Sequence, residues 1–171
     1  GFDTTSRNSN LALIEWVVAY LGEFGVASEL IHNPERTKAN LFATVGPRAD
    51  GGIVLSGHTD VVPVDGQPWT SDPWTLLQRD GRVYGRGTTD MKGFIACALA
   101  MVPDLKRRQL KQPIHLALSY DEEVGCTGVK PMIDQLGITL PKPRIVIVGE
   151  PTNMTVVDAH KGGYRFRTDI T

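Results

Sequence analysis

Three short runs of apolar, largely β-branched residues constrain the fold of this chain more than any other feature. Each run is bounded by Gly, Pro or charged residues, as is typical of buried strands: residues 52–56 (GIVLS), 113–119 (PIHLALS) and 144–148 (RIVIV). Segments with helical spacing lie between them, at residues 91–109 and 128–136. Strands that alternate with helices predict an α/β fold, with a mostly parallel sheet flanked by helices in three α/β/α layers.

The N-terminal part of the chain predicts one amphipathic helix before these runs. Apolar residues recur at helical spacing over residues 11–24, either Asn8 or Ser9 is placed to cap the start, and Gly25 follows the end. Residues 65–87, rich in Pro, Gly and Trp, predict a long ordered loop, because the tryptophans need a surface on which to pack. In the segment 91–109 the helix is expected to bend or break at Pro103.

Composition argues against several classes of function. The chain has 171 residues, 41% of them hydrophobic, which suits one ordinary globular core. Its 18 Lys+Arg and 19 Asp+Glu give a net charge of -1, so a nucleic-acid partner is not expected. No apolar stretch is long enough to span a membrane and no secretory signal opens the sequence. Cys97 and Cys126 form no C-x-x-C pair, and two free thiols in a reducing cytosol predict a cytoplasmic location.

Acids and one histidine lie where the predicted strands end or where a helix begins. These residues are His58, Asp60, Asp90, Glu122, Glu123 and Glu150. The carboxyl ends of strands in an open α/β sheet border the crevice in which ligands bind, so the six side chains are expected to converge. Clustered carboxylates would repel one another unless a cation neutralises them. An imidazole with carboxylates and no thiolate suits zinc, with cobalt or manganese as substitutes.

Taken singly, each residue has an ordinary structural explanation. A lone histidine such as His58 is more often a hydrogen-bonded packing residue, and Asp90 before a helix usually caps it. Adjacent acids such as Glu122 and Glu123 usually mark a solvated turn. Structural roles are expected for the other histidines, which are His32, His115 and His160. The joint occurrence of GHTDVVP, YGRGTTDMKG, SYDEEVG and VGEPTN, in this order, favours one shared site.

In these motifs the chain resembles the dinuclear-zinc aminoacylase and carboxypeptidase family, the M20-type metallopeptidases. The family includes acetylornithine deacetylase, succinyl-diaminopimelate desuccinylase and glutamate carboxypeptidase. The resemblance implies a zinc-peptidase catalytic domain and two Zn²⁺ ions as cofactors. By motif, His58 and Glu150 match ligands of one ion, Glu123 matches a ligand of the other, and Asp90 matches the carboxylate that bridges them.

The resemblance also implies the catalytic residues. Glu122 takes the position of the general base, which accepts a proton from water and passes it to the leaving amine. Asp60 matches the carboxylate that orients and polarises the histidine ligand. A cis peptide is implied between Asp90 and Met91. Cys126 follows the acidic pair closely and is expected to pack rather than react.

Several stretches resemble the deacetylase branch more than the desuccinylase branch, among them residues 2–10 (FDTTSRNSN) and 158–166 (DAHKGGYRF). This branch implies hydrolysis of N2-acetylornithine to ornithine and acetate, a step of arginine biosynthesis. A related N-acyl amino acid deacylase, a succinyl-diaminopimelate desuccinylase or a dipeptidase stays open. So does a catalytically inactive zinc-binding fragment, which would hold one ion through His58, Asp90 and Glu150, or a structural module.

The family pattern predicts that residues 1–160 form part of a catalytic domain. Residues 161–171, with Tyr164, Phe166 and Ile170 in alternation, would begin a strand of an inserted lid or dimerisation domain. Family members supply two further active-site histidines from later segments. We therefore expect an incomplete second metal site, an open sheet edge and exposed apolar surface. A homodimer is expected of the full-length protein but not of this piece.

Overall fold

The computed structural model describes residues 1–159, 162 and 168. Its main feature is a five-stranded sheet in the order β1-β2-β6-β3-β7, with a separate two-stranded sheet formed by β4 and β5. The strands are β1 (Ser28–His32), β2 (Ala39–Val45), β3 (Ile53–His58), β4 (Leu77–Arg79), β5 (Arg82–Tyr84), β6 (Ile114–Ser119) and β7 (Ile145–Val148). The helices are α1 (Leu11–Glu23), α2 (Lys92–Ala100), α3 (Val102–Arg107) and α4 (Lys130–Ile133).

The strand directions confirm the predicted mostly parallel sheet. Strand β3 lies between β6 and β7 and is parallel to both. Strand β2 is antiparallel to both of its neighbours, β1 and β6, so it alone runs against the common direction within this sheet. The three strands predicted from the sequence form the parallel part, whereas β1 and β2 were not predicted. The carboxyl ends of β3, β6 and β7 consequently lie together at one edge.

Helices cover the sheet on both faces, as predicted. The larger core packs α1, α2 and α3 against alternate residues of β2 and β6, including Leu41, Ala43, Leu116 and Leu118. The intervening residues point to the opposite face, where Phe42 and Ala117 pack with Met132 of α4. This alternation is the period-2 pattern of strands buried on both sides.

Two predicted helices differ in detail. The segment 91–109 divides into α2 and α3 at Met101. Pro103 lies in the first turn of α3, where backbone N–H groups have no intrahelical acceptor, so the N–H that proline lacks is not needed there. The segment 128–136 forms only the short helix α4, with Pro131 in its first turn. Helix α1 begins at Leu11 as expected. Its first residue donates its backbone N–H to Ser9 Oγ at 3.1 Å, while the N-cap position belongs to Asn10.

The predicted long loop over residues 65–87 contains the β4–β5 hairpin, which corrects that expectation. Asp80 and Gly81 join the two strands with left-handed φ angles of 52° and 72°, the backbone of a tight hairpin turn. The tryptophans do find partners. The Arg86 guanidinium lies 5.2 Å from the Trp69 ring and the Lys92 ammonium 6.0 Å from the Trp74 ring.

Strand β7 forms one edge of the described sheet and its side chains are largely open to solvent. Ile145, Val146, Ile147 and Val148 are 49%, 56%, 44% and 57% exposed. The predicted strand residues Tyr164, Phe166 and Ile170, and also His160, lie outside the described residues. Within the described part of the chain, no helix has both the length and the apolar character needed to cross a bilayer.

Candidate metal centre

The site is assembled by chain segments that leave the parallel strands. His58 is the last residue of β3, and Glu150 comes two residues after the end of β7. Glu122 and Glu123 follow β6, and Asp90 precedes α2. Because these ends lie at the same edge of the sheet, the side chains meet in one place, as the sequence predicted.

The His58 ring lies at the centre of this cluster. Its Nε2 atom is 2.9 Å from Asp90 Oδ1, 3.5 Å from Glu150 Oε1 and 4.0 Å from Glu122 Oε2. Two groups of side chains could each hold a metal ion, because the ligand atoms within each group all lie within 4.8 Å of one another. One group is His58, Glu122 and Glu150, and the other is His58, Asp90 and Glu123. The structure thus brings the four predicted ligands together. It also places Glu122, predicted as the base, within the same range.

The chemistry of the donor set fits a divalent transition metal. One imidazole nitrogen with carboxylate oxygens suits zinc, cobalt or manganese. Partial burial and the neighbouring charge of Asp90 raise the pKa of Glu123. Burial, followed by the charges of Asp90 and Glu122, raises the pKa of Glu150. A bound cation would oppose both effects, because it favours the ionised form of carboxyl groups whose pKa burial and neighbouring acids have raised.

The orientation of the His58 ring directs Nε2 toward the acids, where a metal ion would bind. The ring is 2% exposed, and its Nδ1 lies 2.9 Å from the backbone oxygen of Asp60, so Nδ1–H donates there and Nε2 faces the acids. Burial would lower the pKa of His58. The carboxylate and carbonyl of Asp60, together with the charge of Glu150, outweigh it and raise the pKa to about 9.

The Asp60 carboxylate is the second structural centre of the site. It is buried, and its Oδ1 atom lies 3.5 Å from His58 Nδ1. The backbone oxygen of Asp60 is closer to that nitrogen, at 2.9 Å. It accepts hydrogen bonds from Ser6 Oγ at 2.7 Å and from the backbone N–H groups of Glu122 at 3.0 Å and Glu123 at 3.2 Å. Burial would raise the pKa of Asp60, but these hydrogen bonds and His58 lower it. Asp60 therefore links the histidine to the Glu122–Glu123 turn.

Two neighbours of the site differ from what the sequence suggested. The peptide bond between Asp90 and Met91 is cis, as the resemblance implies. The Met91 side chain, for which the sequence predicts no role, is fully buried, and its Sδ accepts the His58 backbone N–H at 3.2 Å. Cys126 was expected to pack, which is wrong, since it is exposed and its thiol donates to Glu122 Oε1 at 3.5 Å. Burial and the nearby Glu122 raise the pKa of this thiol, so it stays protonated.

A cleft adjoins the acids on one side. Its volume is about 190 Å³, and its walls include Asp90 and Glu123 together with Val62, Arg86 and Thr88. Ser6 also contacts the site indirectly, through its hydrogen bond to Asp60. No pattern in the sequence indicates this role.

Comparisons with known proteins agree with this geometry. The model of the peptidase family M20/M25/M40 matches residues 54–167. Acetylornithine deacetylase of Proteus mirabilis is 40% identical over 161 residues, which is 94% of this chain and 41% of the relative. Acetylornithine deacetylase of Pasteurella multocida is 40% identical over 155 residues, 90% of this chain and 40% of the relative. The chain thus spans about two fifths of the length of these curated relatives.

Solved structures show the same fold. The structure of an M20 family metallo-carboxypeptidase from Sulfolobus solfataricus superposes with a TM-score of 0.71 at 21% identity, covering 86% of this chain and 35% of that chain. Human carnosine dipeptidase 1 superposes with a TM-score of 0.67 at 21% identity, covering 80% and 32% respectively.

The matched residues 54–167 include His58, Asp90, Glu122, Glu123 and Glu150, so the match to this class of peptidases covers the whole cluster. The chain belongs to the peptidase family M20/M25/M40.

Proposed function

We propose that the protein containing this chain is a metal-dependent amide hydrolase that removes the acetyl group from N2-acetylornithine, giving ornithine and acetate in arginine biosynthesis. The observation that carries the reaction class is the convergence of Asp90, Glu122, Glu123 and Glu150 around His58. The substrate rests on similarity to relatives that are acetylornithine deacetylases at 40% identity.

The residues divide into metal ligands and a proton carrier. In this proposal His58 and Glu150 would hold one zinc ion, Glu123 would hold the other, and the Asp90 carboxylate would serve both. When bound, two such ions lower the pKa of water and polarise an amide carbonyl. Glu122 then accepts the water proton and returns it to the leaving amine. Asp60 keeps Nδ1–H of His58 in place through its backbone oxygen and holds the turn that carries Glu122.

The other features of the proposal follow the family. Residues 1–160 would belong to the catalytic domain and 161–171 would begin a lid or dimerisation domain, through which the full-length protein forms a homodimer. A small N-acyl amino acid is the proposed substrate. The free thiols of Cys97 and Cys126 are compatible with the proposed cytoplasmic location.

Zinc analysis of the chain and hydrolysis by the whole protein test this proposal together. The chain should bind zinc and lose it on Asp90→Ala, and the whole protein should release acetate from N2-acetylornithine in preference to cleaving N-succinyl-diaminopimelate or dipeptides. Glu122→Gln should keep bound zinc and lower kcat by about 10²–10⁴-fold, because the proton carrier is gone.

Glu29→Gln is a matched control, since Glu29 pairs with Arg48 at the surface, away from the cluster. It should change neither zinc content nor turnover. Dipeptide cleavage that exceeds acetate release would reassign the substrate and keep the metal centre. A protein that binds no zinc and hydrolyses none of these amides would overturn the proposal.

A further inference from the structure

Lys38 is a partly buried cation that no assigned role accounts for. It directly precedes β2, and its side chain is 15% exposed. Its Nζ donates to the Asp121 carboxylate at 2.5 Å and to the backbone oxygen of Ser6 at 2.5 Å. It also lies 5.9 Å from the centre of the Tyr120 ring. One ammonium group therefore connects segments that are far apart in the sequence.

Both partners of Lys38 lead directly to the metal centre. Ser6 accepts from Lys38 through its backbone oxygen and donates through its hydroxyl to Asp60 Oδ2 at 2.7 Å. Asp121 precedes Glu122 and Glu123, whose backbone N–H groups donate to the same Asp60 carboxylate. The contacts form a closed loop, from Lys38 through Ser6 to Asp60 and back through the acidic turn to Asp121.

The turn needs such support because of its backbone. Asp121 has a φ of 58°, a left-handed conformation that is uncommon for residues other than glycine. An ion pair with both side chains more than four fifths buried is screened little by solvent, and a charge-assisted hydrogen bond is stronger than a neutral one. The Lys38–Asp121 pair is therefore able to hold this conformation.

We propose that Lys38 and Ser6 are positioning residues of the metal centre. They hold the Asp60 carboxylate and the turn at residues 121–123 in the one arrangement that directs Glu122 and Glu123 toward His58. The inference rests on the proposed function for the roles of these two acids. The proposed role is distinct from simple attachment of the N-terminal segment, which Thr4 also provides by donating to the backbone oxygen of Thr59 at 2.6 Å.

The test compares Lys38→Met and Ser6→Ala with Thr4→Val in this chain. Thr4→Val is the matched control because it removes a buried hydrogen bond of the same segment without touching the closed loop. In the metal-free chain, NMR should show the amide hydrogens of Glu122 and Glu123 exchanging at least about tenfold faster in Lys38→Met and Ser6→Ala. Their exchange relative to the rest of the sheet should be unchanged in Thr4→Val.

Cobalt binding, followed by visible absorption, supplies the second readout. Both test variants should bind Co²⁺ about 10–100-fold more weakly, the usual effect of removing groups that orient metal ligands. Thr4→Val should bind as the wild type does. Equal amide exchange in Lys38→Met and the wild type, or equal changes in Thr4→Val and the test variants, would overturn the inference.

The two proposals fail in different ways. A wild-type chain that binds no Co²⁺ contradicts the metal centre, while the exchange comparison still decides the role of Lys38. If Lys38→Met does not fold, Ser6→Ala decides alone, because it removes a single hydroxyl group. Normal exchange and normal Co²⁺ affinity in Ser6→Ala would then reject the positioning role.

Discussion

Two buried histidines of this sheet show how contacts set the charge of one residue type. His58 lies beside Asp60 and Glu150, and these acids raise its pKa to about 9 against the effect of burial. His115 is also buried, but its ring lies against Thr44 Oγ1 at 2.9 Å, the Gly51 backbone oxygen at 3.3 Å and the Phe42 ring. Burial lowers the pKa of His115, so it stays neutral as a core residue.

His115 should make the chain less stable in mild acid. Its folded pKa lies below the ordinary value of 6.5, so the unfolded chain binds a proton more readily as the pH falls through that value. The free energy of unfolding, measured by urea denaturation of the metal-free chain, should therefore decrease below pH 6.5 because of this residue. His115→Gln should remove that part of the decrease.

The comparison must be made as a difference between variant and wild type. The raised pKa values of Glu123 and Glu150 favour the folded state as the pH falls, and they oppose His115 in a neighbouring range. Both chains contain these acids, so their effect cancels. Parallel pH curves for His115→Gln and the wild type would contradict the role given to His115.

At the level of single residues, the sequence identified those whose position along the chain reveals their chemistry. His58, Glu122 and Glu150 follow apolar runs, and the ends of such runs meet in a parallel sheet. Lys38 and Ser6 gave no such signal, because their importance comes from contacts with residues far away in the sequence, such as Asp121. Spacing along the chain cannot predict contacts of that kind.

At the level of elements, the sequence predicts the three strands of the parallel part of the sheet and misses β1 and β2. Strand β2 carries a polar residue, Asn40, that is fully buried because its amide donates to the backbone oxygen of Gly128 at 2.8 Å. Strand β1 is half-buried and mixed in polarity. Polar residues interrupt both runs, and pairing stabilises both strands, since β2 pairs with β6 and β1 pairs with β2.

The contact between α2 and β3 leaves little room for a side chain at Gly57. A Cβ atom there would lie 3.0 Å from Ile95 Cγ1 and 3.1 Å from Met91 Cε. Gly57→Ala should therefore lower the free energy of unfolding by about 1–3 kcal/mol, the usual cost of overpacking a core. It should also weaken zinc binding, because His58 is the next residue and Met91 follows Asp90.

Gly22→Ala is the control for this substitution. Gly22 lies exposed near the end of α1, with no atom within 4 Å of a new Cβ, so alanine should be neutral or stabilise by up to about 1 kcal/mol. Denaturation curves and zinc titrations of the two variants give the comparison. If Gly57→Ala matched the wild type in both, close packing of α2 would not be what positions His58.

At the level of the whole molecule, the sheet collects acids from separate chain segments into one place at an energetic cost. Asp90, Glu122, Glu123 and Glu150 surround a single histidine. Burial, and after it the charges of neighbouring acids, raises the pKa of Glu123 and Glu150. A cation that removes this repulsion would bind only when the segments are assembled. Metal binding and folding are therefore coupled in this chain.

Zinc should raise the melting temperature of the chain, and chelation should lower it again. At a free zinc concentration about 100 times Kd the stabilisation is about 2.7 kcal/mol, which corresponds to roughly 5–10 °C for a chain of this size. His58→Asn should abolish most of the shift, since both candidate ligand sets contain this histidine. Glu29→Gln, at the surface, should keep it. Calorimetry with zinc and with EDTA measures the effect. A shift that His58→Asn retains in full would mean that zinc stabilises the fold at a place other than this cluster.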